Sequence, residues 1–436
     1  MTLVNNYKKK KYNFRENQII NFFKFLNKNH ENYAVLGNLS KFPKKINSDV
    51  DLYIDFNDIN EIKTILENFA FQQKLKISNI FLHEYNSIYF VLTKKVKNDY
   101  FNISIDVCNY YTYKGRNIIN FSNLEKRKVK IKSTYYFTLL PHENIFYYFT
   151  KKILKGDINK ESFTFLKKNK KIILLNKNFD FSQKKEILRI FRLNNYKIIL
   201  SKIDIFKKKI LKNKKFKILN EINRIIRRIK YKTGYHISFL GIDGSGKSTQ
   251  INKFNNEFVN NCFRKTTFYH LYKIKQKNNS NKITPYNKSY GYFLSFFKII
   301  FLFFKFTKFY FIDIYVSKLK STLIISDRNH YDVMIDPIRY GITCHIFLLK
   351  YLFNFFPKPD LLFYLKPTIK NAYTRTNELS KKQITINLNK YEIFLKKRED
   401  VIFINANKKI YNLNMEIKKL FYTSLNKKTF KILKKL

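Results

Sequence analysis

Nine consecutive residues, Gly241-Ile242-Asp243-Gly244-Ser245-Gly246-Lys247-Ser248-Thr249, carry the clearest chemical signal in the chain. They match the pattern G-x-x-x-x-G-K-[ST], in which glycines let backbone N–H groups turn inward around a chain of phosphates. In such a loop Lys247 reaches the terminal phosphates and the Ser248 hydroxyl can ligate Mg²⁺. The chain has only 9 glycines in 436 residues, and three of them fall between positions 241 and 246, so chance placement explains the motif poorly. A second carboxylate-bearing stretch, Leu323-Ile324-Ile325-Ser326-Asp327, is an apolar run that ends in an acid of the kind that sits near a phosphate-bound metal, and Arg328 follows it directly.

A different chemistry is written near the N-terminus. Asp49 and Asp51 flank Val50 in a strand-like pattern, and the period of two sends both carboxylates to one face, where they repel unless they share a cation. Asp106 lies inside a second apolar strand pattern, 101–107, and offers a third acid. Three carboxylates on adjacent strands could hold one or two Mg²⁺ ions.

The elements that must position these residues follow from hydrophobic spacing. Downstream of the loop, a helix from Lys247 is followed by alternating strands and helices, with strands at 266–271, 322–326, 361–365 and 401–404; this order predicts a doubly wound parallel sheet. The N-terminal third reads as a small α/β domain. Between them, apolar residues recurring at three and four predict a basic helical connector with no catalytic constellation of its own. The expected organisation is α/β throughout, with domains at 1–135 and 233–436 joined by a helical connector at 136–232.

Composition weighs partners. The formal charge is +55, with 73 Lys against 13 Arg and an abundance of Asn, Ile, Phe and Tyr. That profile is expected from an A/T-biased coding sequence, so nucleic acid is not the favoured partner despite the charge. The same bias makes the arginines informative, because Lys replaces Arg as a solvated charge but not as a bidentate fork. Arg328, Arg339 and Arg375 stand out for this reason. Three scattered cysteines give neither a disulfide framework nor a zinc site, and the first thirty residues lack a signal-peptide pattern, so a cytoplasmic location is expected. An insertion at 273–320 contains the Phe-rich stretch 293–316, interrupted by Lys298, Lys305, Lys308 and Asp313. The three lysines fall within about 80° on a helical wheel. Two readings stay open: packing against the domain's own core or a twin subunit, as in a homodimer, and peripheral lodging in a membrane interface.

With these residues set out, two resemblances can be named. Residues 236 to 425 resemble the thymidylate kinase family of P-loop nucleoside monophosphate kinases: the loop 242–250, the Asp327-Arg328 pair, Arg375 where the lid begins, and a fourth strand at 359–365. Leu240 stands where that family usually has Glu. The resemblance implies an ATP-dependent kinase acting on a thymidylate-like or related phosphorylated acceptor. It places Gly241, Gly244, Ser245, Gly246, Lys247, Ser248 and Thr249 around ATP and Asp243 on a substrate hydroxyl. It also places Asp327 at the metal, Arg328 on the acceptor phosphate and Arg375 on the transferring group. The cluster 327–340 is similar to thymidylate-kinase-like proteins of bacterial surface-polysaccharide gene clusters. Residues 15 to 115 resemble the DNA polymerase β type of nucleotidyltransferase, which implies Asp49, Asp51 and Asp106 as metal ligands and Gly37 and Ser40 as the triphosphate turn. Asn38 stands where that family has Gly or Ser, and a domain of this shape that only binds a ligand is the other reading. The rival for the whole chain is a metal-dependent nucleotidyltransferase controlled by a nucleotide-binding P-loop domain.

Overall fold

The computed structural model describes residues 2–29, 31–40, 42, 49–56, 58–97, 99–121, 123–130, 135–177, 179–212, 214–270, 290–376 and 379–436, with the side chains of 2–13 and 255–261 left aside. The chain divides into two compact units, Met1–Lys230 with Phe430–Leu436, and Tyr231–Thr429.

The first unit begins with α1 (Thr2–Lys28) and, among the described residues, a seven-stranded mixed sheet in the order β3-β4-β5-β2-β1-β9-β8. Its strands are β1 (Tyr33–Leu36), β2 (Val50–Ile54), β3 (Lys76–Phe81), β4 (Ser87–Val96), β5 (Asp99–Cys108), β8 (Lys128–Lys130) and β9 (Phe137–Leu139); β6 (Tyr110–Tyr113) and β7 (Arg116–Asn120) form a separate hairpin. Strand β2 pairs antiparallel with β1 and parallel with β5. That register sets Asp51 opposite Asp106, so the two acids predicted on neighbouring strands are level with one another. Helix α2 (Ile59–Gln72) lays Ile62, Leu66 and Phe69 on the sheet at helical spacing.

Helices then follow in a run: α3 (Pro141–Lys155), α4 (Lys160–Lys168), α5 (Lys170–Leu175), α6 (Phe181–Arg192), α7 (Tyr196–Ser201), α8 (Ile203–Leu211) and α9 (Ile218–Lys230). Pro141 sits in the first turn of α3, where its missing N–H costs nothing, and Gly156 closes the helix at φ 73°. Asn159 and Ser162 cap α4 reciprocally, as Asp180 and Gln183 cap α6. These helices share an apolar core built on Ile145, Phe149 and Ile153 of α3 with Leu166, Ile187 and Phe206.

The second unit has five parallel strands in the order β11-β12-β10-β13-β14. They are β10 (Tyr235–Leu240), β11 (Lys265–His270), β12 (Thr322–Asp327), β13 (Leu361–Lys366) and β14 (Val401–Asn405). From the central β10 the chain runs out to the edge strand β11, returns through β12 beside β10, then crosses to β13 and β14 on the other side, which is the doubly wound α/β arrangement expected from the order of elements. Every residue of β10 and β12 is buried, as a strand covered on both faces requires. Its helices are α10 (Lys247–Cys262), α11 (Tyr292–Lys308), α12 (Tyr315–Leu319), α13 (His330–Ile335), α14 (Ile346–Phe353), α15 (Ile369–Arg375), α16 (Lys381–Leu395) and, as far as Thr429, α17 (Ile410–Leu433). The Phe-rich insertion forms α11 and a π-helical turn, Phe309–Ile314, that leads into α12; its residues 273–289 lie outside the described residues. Ile299, Leu302, Phe306, Tyr310 and Ile314 enter the core of this unit beside Ile324 and Phe353. No helix among the described residues is long and apolar enough to cross a membrane.

Candidate phosphate site and acidic cluster

The loop after β10 needs its glycines for two reasons. Gly241, Gly244 and Gly246 have φ of 153°, 80° and 84°, a region side chains avoid. A Cβ on Gly241 would also lie 2.6 Å from Ser245 Oγ, and one on Gly244 would lie 2.6 Å from the Ala372 carbonyl oxygen. Lys247 opens α10 and is buried. Its Nζ donates to the carbonyls of Gly241 and Ile242, each at 2.8 Å, and to Ser245 Oγ at 3.3 Å. Burial, then the nearby Arg328 charge, lowers its pKa to about 8. Ser248 and Thr249 stand exposed on the first turn of α10. Arg375, at the end of α15, donates Nη1 to the Ala406 carbonyl at 3.3 Å, and the same nitrogen lies 3.9 Å from where a Cβ of Gly246 would sit. Arg375 therefore stands at the rim of the loop.

Asp327 ends β12 beside β10, paired in register with Phe239, so the sheet brings the acid and the start of the loop to adjacent strand ends. It is buried; its Oδ1 has no hydrogen-bond partner among the described residues, and its Oδ2 lies 3.5 Å from His270 Nε2. A buried carboxylate oxygen left so is costly, and a cation would satisfy it.

Arg328 holds a φ of 72°, rare for a residue with a side chain, and its N–H donates to the Phe239 carbonyl at 2.9 Å. Its guanidinium bridges two acids, Nη2 to Asp243 Oδ1 and Nη1 to Asp332 Oδ1, both at 2.7 Å. Arg339 joins from the other side, 3.1 Å from Asp243 Oδ2. Asp332, fully buried, also accepts from Tyr340 at 2.6 Å and from the Tyr391 hydroxyl. Burial alone would raise the Asp332 carboxyl, but the two guanidiniums and the two hydroxyls hold it down at about 2. Asp243 is likewise lowered against the effect of burial, by Arg328 first and Arg339 second.

In the first unit, ligand atoms of Asp49, Asp51 and Asp106 lie within 4.8 Å of one another. Helix α3 closes the cluster. Lys151 forms an ion pair with Asp51. Seven residues earlier, on the same helical face, Asn144 clamps Gly37: its Oδ1 accepts from Gly37 N at 2.7 Å and its Nδ2 donates to Gly37 O at 2.9 Å. Asn38 steadies the turn by accepting from Ser40 Oγ at 2.8 Å. Asp51 Oδ1 still has no hydrogen-bond partner among the described residues. Burial, then the Asp51 charge, pushes Asp106 up to about 7. The same acids outweigh burial at Lys151 and raise its pKa well above the usual value.

The helical stretch 136–232, read from sequence as holding no catalytic constellation, does bring two residues of α3, Asn144 and Lys151, against the Gly37 turn and the acidic cluster. Lys151 was hidden by composition, being one of many lysines on an amphipathic helix. Asp332 carried a usable signal, an acid four residues after an arginine at the start of a helix. Tyr391 carried none, since it comes from α16, 63 residues from Arg328.

No family model matches the chain, and no curated protein matches it in sequence. Among solved structures, thymidylate kinase from Candida albicans is 16% identical, the match covering 44% of this chain and 93% of that one at a TM-score of 0.33. Deoxyadenosine kinase from M. mycoides with bound dATP is 17% identical, covering 42% of this chain and 98% of that one at 0.31. The same enzyme with bound dCTP is 15% identical, at 43%, 99% and 0.30. Likeness at these scores identifies no activity.

Proposed function

We propose that the second unit is an ATP-dependent phosphotransferase that moves the γ-phosphoryl group to a nucleoside monophosphate, thymidylate-like, or to a related phosphorylated acceptor such as a sugar phosphate of surface-polysaccharide metabolism. The observation that carries this reading is the meeting of Lys247, the unpaired Asp327 Oδ1 and the braced Arg328 at the ends of two adjacent strands. Phosphoryl transfer needs positioning and charge neutralisation more than covalent chemistry. Lys247 gives up the carbonyls of Gly241 and Ile242 and turns to the β- and γ-phosphate oxygens, whose charge favours its protonated form. The loop N–H groups hold the phosphate chain in place. An acceptor phosphate oxygen attacks the γ-phosphorus as the bond to the β–γ bridging oxygen breaks, leaving ADP. Arg375, at the rim of the loop, and Arg339, beside Asp243, supply guanidiniums to the transferring and acceptor phosphates. Arg328 contributes its charge from a fixed place between Asp243 and Asp332. Ser248 and Asp327 fit Mg²⁺, which when bound neutralises charge on the β- and γ-oxygens.

The test is transfer from labelled ATP across a panel of nucleoside monophosphates and sugar phosphates. Labelled product from at least one acceptor, lost in Lys247→Ala, is expected; hydrolysis to phosphate alone with every acceptor would refute the transferase reading. A second reading, metal-dependent nucleotidyl transfer by the first unit, is favoured by the convergence of Asp49, Asp51 and Asp106 beside the Gly37 turn. Its test is Mg²⁺-dependent incorporation of a labelled nucleotide that Asp51→Asn abolishes.

A further inference from the structure

Helices α11 and α14 of the second unit lie side by side. Tyr292 meets His345 at 4.2 Å between ring centres at one end, and Phe306 meets Phe353 at 5.4 Å toward the other. Each buries one face and leaves a stripe of aromatic rings on the opposite one. On α11 the outer stripe is Phe293, Phe297, Phe301 and Phe304, opposite buried Ser295, Ile299, Leu302 and Phe306. In and just beyond α14 it is Phe347, Tyr351 and Phe355, opposite buried Leu349 and Phe353. These seven rings are between 57% and 85% exposed. Exposed aromatic surface on this scale marks an interaction site.

The charge around the rings identifies the partner. Lys305, Lys308 and Lys350 stand exposed among them, and Lys298 lies over the Phe301 ring at 5.6 Å. Across 290–319 and 343–358 the sole acid in the sequence is Asp313. Two copies of such a face would bring lysines against lysines, whereas an anionic surface complements them. A helix of 17 residues is about 25 Å long, and no described helix can cross a bilayer, so the fitting geometry is a pair of helices lying flat. We infer that the α11–α14 face docks this protein on the surface of an anionic lipid bilayer, with the aromatic rings at the acyl boundary and the lysines among the headgroup phosphates. The occupant is the lipid surface itself, and the inference does not depend on the phosphotransferase reading.

The chain contains no tryptophan, so Phe297→Trp places a single reporter on this face. The full chain is mixed with vesicles of phosphatidylcholine alone or with roughly 30 mol% phosphatidylglycerol, where each lysine near the surface is worth about fivefold in binding. The expected result is co-sedimentation with the anionic vesicles, a blue-shifted tryptophan emission, and quenching by brominated acyl chains. Phe297→Ser combined with Phe347→Ser leaves the net charge unchanged and should weaken vesicle binding at least ~10-fold, the effect of withdrawing two rings from an apolar environment. Lys305→Glu with Lys308→Glu should weaken it as well. Co-sedimentation with an unshifted, unquenched reporter would overturn the inference, because net charge would then be binding through another face. A blue shift without lipid that grows with protein concentration, together with the mass of a pair, would overturn it in favour of a second copy. Loss of folding in the serine variant leaves the tryptophan reporter, at a position open to solvent, to decide alone.

Discussion

In the second unit, Asp243 and Asp332 face Arg328 and Arg339; in the first, Asp49, Asp51 and Asp106 face Lys151. Two acids against two guanidiniums settle into ionised carboxylates, with Asp332 held at about 2. Three acids against one contacting ammonium do not, and Asp106 keeps its proton up to about 7. The residue types are the same, and the counter-ions decide the outcome. A guanidinium bridges two carboxylates with a rigid fork, whereas an ammonium is a single point charge on a flexible stem. The arginine cluster is therefore a rigidly forked brace for the loop, and the lysine cluster is one in which, on the metal-dependent reading proposed above, a divalent cation would take the place of the ammonium.

The largest expected effect is on the braced side. Lys247→Ala should cut phosphoryl transfer by ~10²-fold or more, the usual effect of removing one electrostatic stabiliser from a phosphate site. Its melting temperature should hold or rise, because burial already disfavours this charge. A folded variant with unchanged turnover would remove the loop from the chemistry. Next is Asp332→Asn, which leaves Arg328 short of a buried partner and should destabilise the second unit by about 3 kcal/mol in urea unfolding. If that variant unfolds with the wild type, the network is no brace and the comparison fails on this side.

Much of this contrast was legible in the sequence, and the residues show where legibility stopped. Glycines at 241, 244 and 246 and the acid after an apolar run announced the loop and Asp327, because each depends on local spacing alone. The period of two placed Asp49 and Asp51 on one face, and the β2–β5 register then set Asp51 level with Asp106. Counter-ions were not legible. The bracing of Arg328 between Asp243 and Asp332 was not among the expectations, because the partner that completes the network, Tyr391, arrives from a distant helix. Lys151 sits on a helix whose apolar spacing speaks only of packing. Long-range pairing of charges is a product of topology, which spacing along the chain does not encode.

The exchangeable side is sharpened by removing its lysine. Lys151→Met should lower the stability of the first unit by about 3 kcal/mol without divalent ions, because it removes one partner of a largely buried pair and leaves Asp51 uncompensated. Mg²⁺ should then stabilise the variant more than the wild type, because it no longer competes with an ammonium for Asp51. Equal Mg²⁺ effects on both, read as melting shifts, would show that lysine and metal do not share the cluster.

The smallest effect is one of pH, and its sign follows from Asp106. Its folded value of about 7 lies above the ordinary carboxyl value near 3.9, so the folded unit holds a proton that the unfolded chain has released. Stability from that proton is full below pH ~4 and is lost as pH rises toward and through 7. In EDTA, amide hydrogen exchange in β2 and β5 should therefore quicken between pH ~5 and ~7.5 beyond the intrinsic pH dependence of exchange, with a matching fall of a few degrees in melting temperature. Asp106→Asn removes the titrating group and should flatten that dependence. Saturating Mg²⁺ should flatten or reverse it in the wild type, because an ion takes over the neutralisation that the proton provides at low pH. The second unit should show the opposite slope: burial lowers His236 of β10 and His330 to about 3, so the unfolded chain takes up protons there below pH ~6.5 and exchange in β10 and β12 should gain protection as pH rises from ~5 to ~6.5. A wild type whose β5 exchange follows that of Asp106→Asn would mean that Lys151 already balances the three carboxylates, and the two clusters would then differ in the kind of counter-ion but not in the sufficiency of its charge.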